Sequence, residues 1–314
     1  MLKNNYINFN KALKPVLIAY AAVIVVGIIL AVIFGIKLDI NFSGGTRIAY
    51  SYTGTVDTAA VTATATEALG QDATVSLSSG MNYSLQQMII TLPGNSAIST
   101  ELQDNLTTAL QSNHTGNSIV LSESISVSPT IAGTFFAKCI AALVIAGALV
   151  VLYVGIRFRN IGGVSAALMA FVALILDCVV AFLACVAFAL PVDSNLIAVI
   201  LTLLGYSLND TIVIYDRVRE NKRLYPAKQL DELVDESINA VKTRNFITTF
   251  TTTLAVITII VVSEVYGLTT LRSFAIPMAF GIVSGCVSSL FVSGPLWVKW
   301  KSFSDKRKAA KGKK

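Results

Sequence analysis

Long apolar segments dominate the pattern of hydrophobic and polar positions along the chain. A transmembrane helix needs about 20 consecutive apolar residues to cross the hydrocarbon core of a bilayer. Six segments reach that length, and they cover residues 15–36, 131–156, 163–189, 195–215, 244–263 and 274–298. The pattern therefore predicts six membrane spans.

The first apolar segment follows a short tail, residues 1–14. It is longer than the hydrophobic region of a secretory signal peptide, which has about 7–15 residues, and it lacks a clear small-residue cleavage site. We therefore expect this segment to remain in the protein as an uncleaved anchor.

The segment between the first two spans, residues 37–130, has a different pattern. Its predicted strands cover 46–53, 73–78, 85–92 and 118–127, and its predicted helices cover 56–69 and 99–112. This order, βαββαβ, is the ferredoxin-like split motif. Because the segment contains no cluster of catalytic residue types, we interpret it as a binding or lever element.

The composition supports a membrane protein with sizeable parts outside the membrane. Hydrophobic residues make up 54% of the 314 residues and charged residues 13%, with a mean hydropathy of +0.70. An ordinary soluble protein has about 25% charged residues, so a soluble globular protein and a disordered one are excluded. The predicted fold class is an α-helical polytopic membrane protein with six transmembrane helices and one exported ferredoxin-like α+β domain between the first and second spans.

Lysine and arginine are concentrated on one predicted side of the membrane. There are 3 in the tail before the first span, 2 at positions 157 and 159, 7 in the stretch 217–244 and 8 from Lys299 onward, which places 20 of the 24 on this side. By the positive-inside rule, we expect both termini to be cytoplasmic. Residues 37–130 are then extracytoplasmic.

Two further segments lie on the predicted cytoplasmic side. In the loop 216–243, apolar residues at helical spacing predict a short amphipathic helix along the inner membrane surface. These residues are Leu230, Leu233, Val234, Ile238 and Val241. We interpret the lysine-rich tail 299–314 as an anchor to the cytoplasm and to lipid headgroups, with contact to a ribosome or another partner as the alternative.

Cysteine and histidine offer little chemistry. All four cysteines lie in apolar segments, so no disulfide framework is predicted. The one histidine, His114, lies in a polar stretch outside the spans. The sequence therefore provides no intramembrane histidine for a metal site or for a Ser-His protease.

Polar residues inside the fourth span need an explanation, because a charge at the bilayer centre costs at least about 2.5–3.5 kcal/mol. Ser207, Asp210 and Thr211 share one face of the predicted helix, and Asn209 lies on an adjacent face. We expect this polar stripe to face other helices. It belongs either to an ion path or to a structural hydrogen bond between helices.

The fifth span begins with a second polar stripe, in which Arg244, Thr248 and Thr252 recur every four residues. Arg244 can reach inward toward a carboxylate, or its side chain can snorkel to the interface. Arginine stays protonated, whereas the pKa of a carboxylate depends on burial and nearby charge. If Asp210 and Arg244 form one site, Asp210 is therefore the predicted proton carrier.

Two other features of the spans stand out. Asp177, in the third span, is a second buried carboxylate that either belongs to the same site or holds two helices together. In the sixth span, small residues recur every four positions and predict close helix packing. These residues are Gly281, Gly285, Ser289 and Ser293.

Four motifs carry a resemblance to a known family. The most specific is 205-GYSLNDTIVIYDRVREN-221 in the fourth span. The others are Arg244 with Thr248 and 251-TTT-253, then 281-GIVSGCVSSLFVSGP-295, and 41-NFSGGTRI-48. On these motifs the chain resembles, over almost its whole length, the SecF members of the SecD/SecF family of protein-export membrane proteins in the resistance-nodulation-division superfamily. It departs from the family pattern at Asn41, where Asp is usual, and at Leu176, where His is common.

The resemblance implies a role in protein export across the prokaryotic cytoplasmic membrane. It implies a six-span subunit that pairs with SecD, here a separate polypeptide, and associates with the SecYEG channel. Such a subunit promotes movement of the translocating preprotein on the extracytoplasmic side and is driven by the proton motive force. We expect no enzyme activity, no cofactor and no nucleic-acid partner, with protons as the coupling ion and sodium ions as the alternative.

The resemblance also assigns site residues. It implies a proton relay of Asp210, Arg244 and Thr248. We add Ser207, Asn209 and Asp177 as supporting polar residues inside the membrane.

Three other functions are weighed against this one. A small-molecule or lipid exporter of the same superfamily would generally have a second exported domain and twice as many spans. An intramembrane protease could use Asp177 and Asp210 as a dyad, but the chain lacks a Gly-x-Gly-Asp arrangement. A passive scaffold that stabilises SecD would have the same spans without moving ions.

Overall fold

The structure of the protein is a computed structural model that describes residues 6–78, 86–93 and 98–311. Residue 85 of the predicted third strand, residues 1–5 of the predicted N-terminal tail and residues 312–314 of the basic tail lie outside these ranges. In chain order, the elements are α1 (Phe9–Phe34), α2 (Ile40–Ser43), β1 (Gly45–Tyr52), α3 (Thr58–Leu69), β2 (Thr74–Ser78), β3 (Gln86–Pro93), α4 (Thr100–Asn113), β4 (Val120–Val127), α5 (Pro129–Arg157), α6 (Gly163–Ala187), α7 (Ser194–Leu224), α8 (Leu230–Tyr266), α9 (Thr269–Ser288), a π-helical turn (Ser289–Ser293) and α10 (Gly294–Lys311).

Among the described residues, six helices are long and apolar enough to cross a membrane, which confirms the predicted number of candidate spans. They are α1, α5, α6, α7, α8 and the continuous helical segment Thr269–Arg307. In the most apolar part of this last segment 78% of the residues are buried, against 11% in α1. The sixth helix is therefore central in the bundle, whereas α1 exposes most of its apolar surface.

The loop predicted at 216–243 differs in the structure. Helix α7 continues to Leu224, and α8 runs from Leu230 to Tyr266 without interruption. The predicted amphipathic helix is therefore not a separate helix but the first part of α8. Pro226 lies in the short connection between the two helices, whereas residues 230–266 contain no glycine or proline that would end α8. The apolar face at the start of α8 packs into a buried cluster with Phe9 and Trp297.

Aromatic contacts hold the lysine- and arginine-rich end of the bundle together. The ring of Tyr215 lies 5.6 Å from that of Phe158 and 5.9 Å from that of Trp297. The Trp297 indole donates a hydrogen bond of 3.0 Å to Ser165 Oγ, and the Tyr215 hydroxyl donates one of 3.2 Å to the Ala166 carbonyl. These contacts join α5, α6, α7 and α10, so the end of α7 has a defined position.

The segment between α1 and α5 folds around a four-stranded antiparallel sheet. The strand order is β2-β3-β1-β4, and the elements follow the order βαββαβ. Inward-facing strand residues such as Ile48, Tyr50 and Ile90 form one buried core with Val61 of α3 and Leu106 of α4. The two helices are therefore the layer that covers the apolar face of the sheet.

Two glycines shape the entry into the sheet. Gly44 and Gly45 have φ angles of 76° and 133°, which favour glycine over other residues. A Cβ atom on Gly45 would collide with the Leu92 carbonyl oxygen, and one on Gly44 would lie 2.9 Å from Pro129 Cα. The chain can therefore pass between β3 and the start of α5 only with glycine at both positions.

Two backbone hydrogen bonds connect the root of the sheet domain to the helix bundle. The Val192 N–H donates to the Lys37 carbonyl at 2.8 Å, and the Asp39 N–H donates to the Val192 carbonyl at 3.1 Å. Val192 lies in the connection between α6 and α7. We call this pair of hydrogen bonds the root clamp.

The root clamp lies between two capping aspartates. Asp39 caps α2 by accepting from the Asn41 N–H, and Asp193 caps α7 by accepting from the Leu196 N–H. Burial raises the pKa of Asp193, and the nearby carboxylate of Asp39 raises it further, while the Leu196 N–H opposes the change. The same few residues therefore follow the first span, precede the sheet domain and begin α7.

Replacement of Gly163 tests the tight α5–α6 turn. A Cβ atom at Gly163 would overlap the Gly155 carbonyl oxygen and lie 3.3 Å from the Phe158 carbonyl carbon, both of which are backbone atoms. We expect Gly163→Ala to lower the stability of the detergent-purified protein by about 1–3 kcal/mol, as overpacking does, and thermal unfolding measures the effect.

Gly205→Ala is the matched control, because a Cβ atom there meets nothing within 4 Å. Alanine also favours a helix over glycine by about 1 kcal/mol. Equal melting temperatures for the two variants would contradict the tight packing of this turn.

Candidate functional site

A fully buried carboxylate lies where four helices meet. Asp177 of α6 is 0% exposed and accepts three hydrogen bonds. Its Oδ1 accepts from Ser284 at 2.7 Å, and its Oδ2 accepts from Ser207 at 2.7 Å and from Ser288 at 2.9 Å. The Tyr20 hydroxyl of α1 donates to the Ser284 carbonyl at 3.0 Å. Asp177 therefore links α6 to α7 and α9, and α1 joins through the same serine.

Small residues on the central helix permit this close approach. A Cβ atom on Gly281 would collide with Leu203, and one on Gly285 would lie 3.1 Å from Ser207. Ser289 also forms hydrogen bonds, since its hydroxyl lies 3.1 Å from that of Thr211 and donates to the Ser207 carbonyl at 3.3 Å. The small-residue stripe therefore combines close packing with polar contacts between α7 and the central helix.

Asp210 lies one turn along α7 from Ser207 and has a different environment. It is 4% exposed, and its Oδ2 atom has no hydrogen-bond partner among the described residues. Its two neighbours on the same face are occupied elsewhere, Ser207 with Asp177 and Thr211 with Ser289. Asp210 is thus a buried carboxylate that the surrounding side chains do not satisfy.

Unsatisfied polar groups also lie on α8, which packs against α7. Asn245 is 1% exposed, and in the described part of the chain neither its amide oxygen nor its amide nitrogen has a partner. The same holds for the buried hydroxyls of Thr249 and Thr253. The Tyr206 hydroxyl donates to the Thr248 carbonyl at 3.4 Å, which connects the two helices beside this group.

Arg244 lies at the opening of this region. Its side chain is exposed and lines a cavity of about 850 Å³, together with residues from the end of α7. Within residues 6–78, 86–93 and 98–311 no direct ion pair joins Arg244 to Asp210. Thr248 donates its hydroxyl to the Arg244 carbonyl at 2.9 Å and so belongs to the same turn of α8.

The other predicted site residues separate into two groups. Ser207 and Asp177 contact each other directly. Asn209 is exposed on a different face of α7 from the buried Asp210, and the structure does not bring it to this site. Its adjacent position in the sequence rotates it by about 100° around the helix axis.

The sequence analysis did not identify three residues of the Asp177 network. They are Tyr20, Ser284 and Ser288. A signal was present, because Ser284 and Ser288 are polar residues one turn apart inside an apolar span. In the described chain, no group of three His, Cys, Asp or Glu side chains is arranged to hold a metal ion.

Comparisons with known proteins give the family context of these residues. The family model described as protein export membrane protein SecD/SecF, C-terminal, matches residues 106–303. The protein translocase subunit SecF of Alicyclobacillus acidocaldarius is 38% identical over 195 residues, which cover 60% of this chain and 59% of that protein. SecF of Synechocystis is 34% identical over 182 residues, which cover 57% of this chain and 55% of that protein.

Longer relatives match almost the whole chain. The protein translocase subunit SecDF of Bacillus subtilis is 29% identical over 310 residues, which cover 96% of this chain and 39% of that protein. The crystal structure of SecDF from Thermus thermophilus superposes with a TM-score of 0.81 at 25% identity, covering 96% of this chain and 40% of that one. Thus the chain matches little more than half of the SecF relatives and about two fifths of the SecDF relatives.

Removal of one hydroxyl that donates to Asp177 tests how much these hydrogen bonds contribute to the stability of the protein. Ser284→Ala leaves Asp177 Oδ1 without its donor and removes a partner of Tyr20. We expect a loss of about 1–3 kcal/mol in stability, the cost of an unsatisfied buried polar group, measured by thermal unfolding in detergent.

Thr258→Val is the matched control, because the exposed Thr258 hydroxyl bonds only to the Leu254 carbonyl of its own helix. We expect this change to stay within about 0.5 kcal/mol of the wild-type protein. If both variants unfold at the same temperature, the Asp177 network does not hold the helices together.

Proposed function

Because the chain belongs to the SecD/SecF family of protein-export membrane proteins, we propose that it is the SecF subunit of a Sec translocase that uses the proton motive force. In this proposal it pairs with SecD, associates with the SecYEG channel and promotes movement of the preprotein on the extracytoplasmic side. Its relatives are named as translocase subunits, and its six apolar helices make it a multi-pass membrane protein. A transport subunit of this kind is not an enzyme.

The observation that carries the proposal is the unsatisfied carboxylate of Asp210. A proton that crosses the membrane releases about 2.3 kcal/mol per 100 mV of membrane potential. A relay residue must exchange that proton, so it needs a carboxylate that is not already held by several donors. Asp210 meets this requirement, and Arg244, which lines a cavity, lies on the neighbouring helix α8. Asp177 is instead enclosed by three serines.

Protonation of Asp210 gives a route from ion movement to helix movement. When the carboxylate is neutral, its attraction to the Arg244 guanidinium disappears, and the balance between two arrangements of α7 and α8 changes. Thr248, on the turn that carries Arg244, and the unsatisfied amide of Asn245 would respond to the same change. We assign the relay to Asp210, Arg244 and Thr248, with protons as the coupling ion and sodium ions as the alternative.

The root clamp gives a route from α7 to the sheet domain. Helix α7 carries Asp210 in its interior and begins at Asp193, next to Val192 of the clamp. A displacement of α7 along its axis would therefore reach residues 37–39, where the sheet domain begins. In the proposal this ferredoxin-like domain is extracytoplasmic and acts as the lever, and the lysine- and arginine-rich ends of the helices face the cytoplasm.

Asp210→Asn tests the relay. We expect this variant to lose the part of preprotein export that depends on the proton gradient, down to the level that a protonophore gives, while it still copurifies with SecD. Export into membrane vesicles, measured with and without the gradient, provides the readout. The exposed Asp231 is the control site, and Asp231→Asn should export normally. Wild-type gradient-dependent export by Asp210→Asn would show that the relay assignment is wrong.

The passive scaffold makes a different prediction for the same variants. If the protein only stabilises SecD, proton uptake by energised vesicles is the same with wild-type protein and with Asp210→Asn. In the proposed function, Asp210→Asn abolishes this uptake. A response to a sodium gradient but not to a proton gradient would assign the coupling to Na⁺.

Val192→Pro tests the mechanical route. Proline has no N–H, so this change removes the hydrogen bond from Val192 to the Lys37 carbonyl, at a net cost of about 0.5–1.5 kcal/mol. We expect proton uptake to continue while gradient-dependent export falls. Val192→Ala keeps the N–H and should retain both activities. Equal export by the two variants would contradict a role for the root clamp in coupling.

A further inference from the structure

A strongly basic cavity lies at the lysine- and arginine-rich end of the bundle. Its volume is about 850 Å³, and it lies between the end of α7, the α5–α6 turn and α8. Five cationic side chains and two carboxylates line it, namely Arg217, Arg219, Lys222, Arg223 and Arg244 with Asp216 and Glu220. The cavity therefore carries an excess of positive charge.

The carboxylates in the cavity are already paired. Asp216 lies 2.8 Å from the Arg219 guanidinium and 3.4 Å from that of Arg157, which lies outside the cavity. Glu220 lies 2.7 Å from Arg217.

The cavity has more cationic side chains than these two carboxylates can pair with. Across the described ranges, no carboxylate pairs with Lys222, Arg223 or Arg244. The protein's own acids thus leave three cations of one cavity uncompensated.

A neighbouring lysine adds to this positive charge. Lys301 of α10 donates to the carbonyl of Ile161, a residue of the cavity wall, at 3.2 Å. Lys301 therefore places a further cationic side chain against the wall of the cavity.

The cavity also has apolar walls. Ile161 is buried, and Val213 and Val241 are half-buried, so apolar surface lies directly beside the cations. A free inorganic anion would gain nothing from that surface, whereas a phospholipid carries an anionic headgroup and apolar chains in one molecule. Basic pockets between transmembrane helices on the cytoplasmic side are known to bind such headgroups.

We propose that this cavity binds the phosphate group of an anionic phospholipid, with Lys222, Arg223 and Arg244 as its ligands. Arginine suits this role because its planar guanidinium binds phosphate through two parallel hydrogen bonds. Binding itself does not depend on the proton relay. A consequence for ion coupling does rest on the proposed function, because a bound phosphate and Asp210 would then compete for the Arg244 guanidinium.

Lipid binding is tested with the full-length protein in detergent. The delipidated protein is incubated with phosphatidylglycerol and phosphatidylcholine in equal amounts, and native mass spectrometry counts the lipids that remain bound. We expect preferential retention of phosphatidylglycerol. We expect about tenfold weaker retention in the double variant Lys222→Gln/Arg223→Gln, which removes two charged donors.

Arg159→Gln is the matched control, because Arg159 is exposed at the same α5–α6 turn but is not among the lining residues. It should retain phosphatidylglycerol like the wild-type protein. An equal loss in this control would show general attraction to a basic surface and overturn the proposal. The charge-conserving variant Lys222→Arg/Arg223→Lys should restore retention.

Two further measurements separate the sources of the phosphate and do not depend on variants. Millimolar inorganic phosphate should neither displace phosphatidylglycerol nor raise the melting temperature as the lipid does. If it does both, the cavity is a site for free anions and the lipid assignment is wrong. A photoactivatable phosphatidylglycerol should label the wild-type protein within 213–223 and 241–244, and labelling confined to other segments would also overturn the proposal.

Discussion

The hydrocarbon core of a bilayer offers no water to a polar side chain, and the arrangement of the helices depends on how the protein satisfies that constraint at Asp177. Three serine hydroxyls surround this carboxylate, and they come from two other helices. Each donor reaches it only because the helices approach closely, which Gly285 permits beside Ser207. The burial of Asp177 therefore depends on the close packing of the central helix against its neighbours.

Asp210 is also a buried carboxylate, but its hydrogen-bonding environment differs from that of Asp177. It lies one turn from Ser207 on the same helix, yet its Oδ2 is buried without a partner in the part of the chain that the structure describes. Asn245, Thr249 and Thr253 on the facing helix are unsatisfied as well. A buried polar group that lacks a partner costs free energy, so a cluster of them is expected where a mobile species such as a proton or water supplies the missing contacts. The contrast is between a carboxylate that three serines hold and one whose Oδ2 has no donor among the described residues.

The sequence was sufficient for the features that depend on local pattern. Apolar length predicted the six candidate spans, and periodicity predicted helices and strands close to the observed bounds. It did not predict that α7 and α8 continue beyond the apolar region, because a helix has no reason to end where the bilayer ends. It also did not predict the partners of Asp177, which lie 30, 107 and 111 residues away along the chain. Such contacts depend on how helices rotate and pack, and hydropathy does not report on either.

Helix α7 is long enough to contact the root clamp, the buried polar residues and the basic cavity. Its 31 residues correspond to about 46 Å at 1.5 Å per residue, and no proline interrupts them. One end begins at Asp193 beside the root clamp, the interior carries Ser207 and Asp210, and the other end lines the basic cavity. A helix transmits a displacement along its axis because its backbone hydrogen bonds run in that direction. In the proposed function, a change of charge at Asp210 would therefore act on an element that contacts the root of the sheet domain at one end and the proposed lipid site at the other.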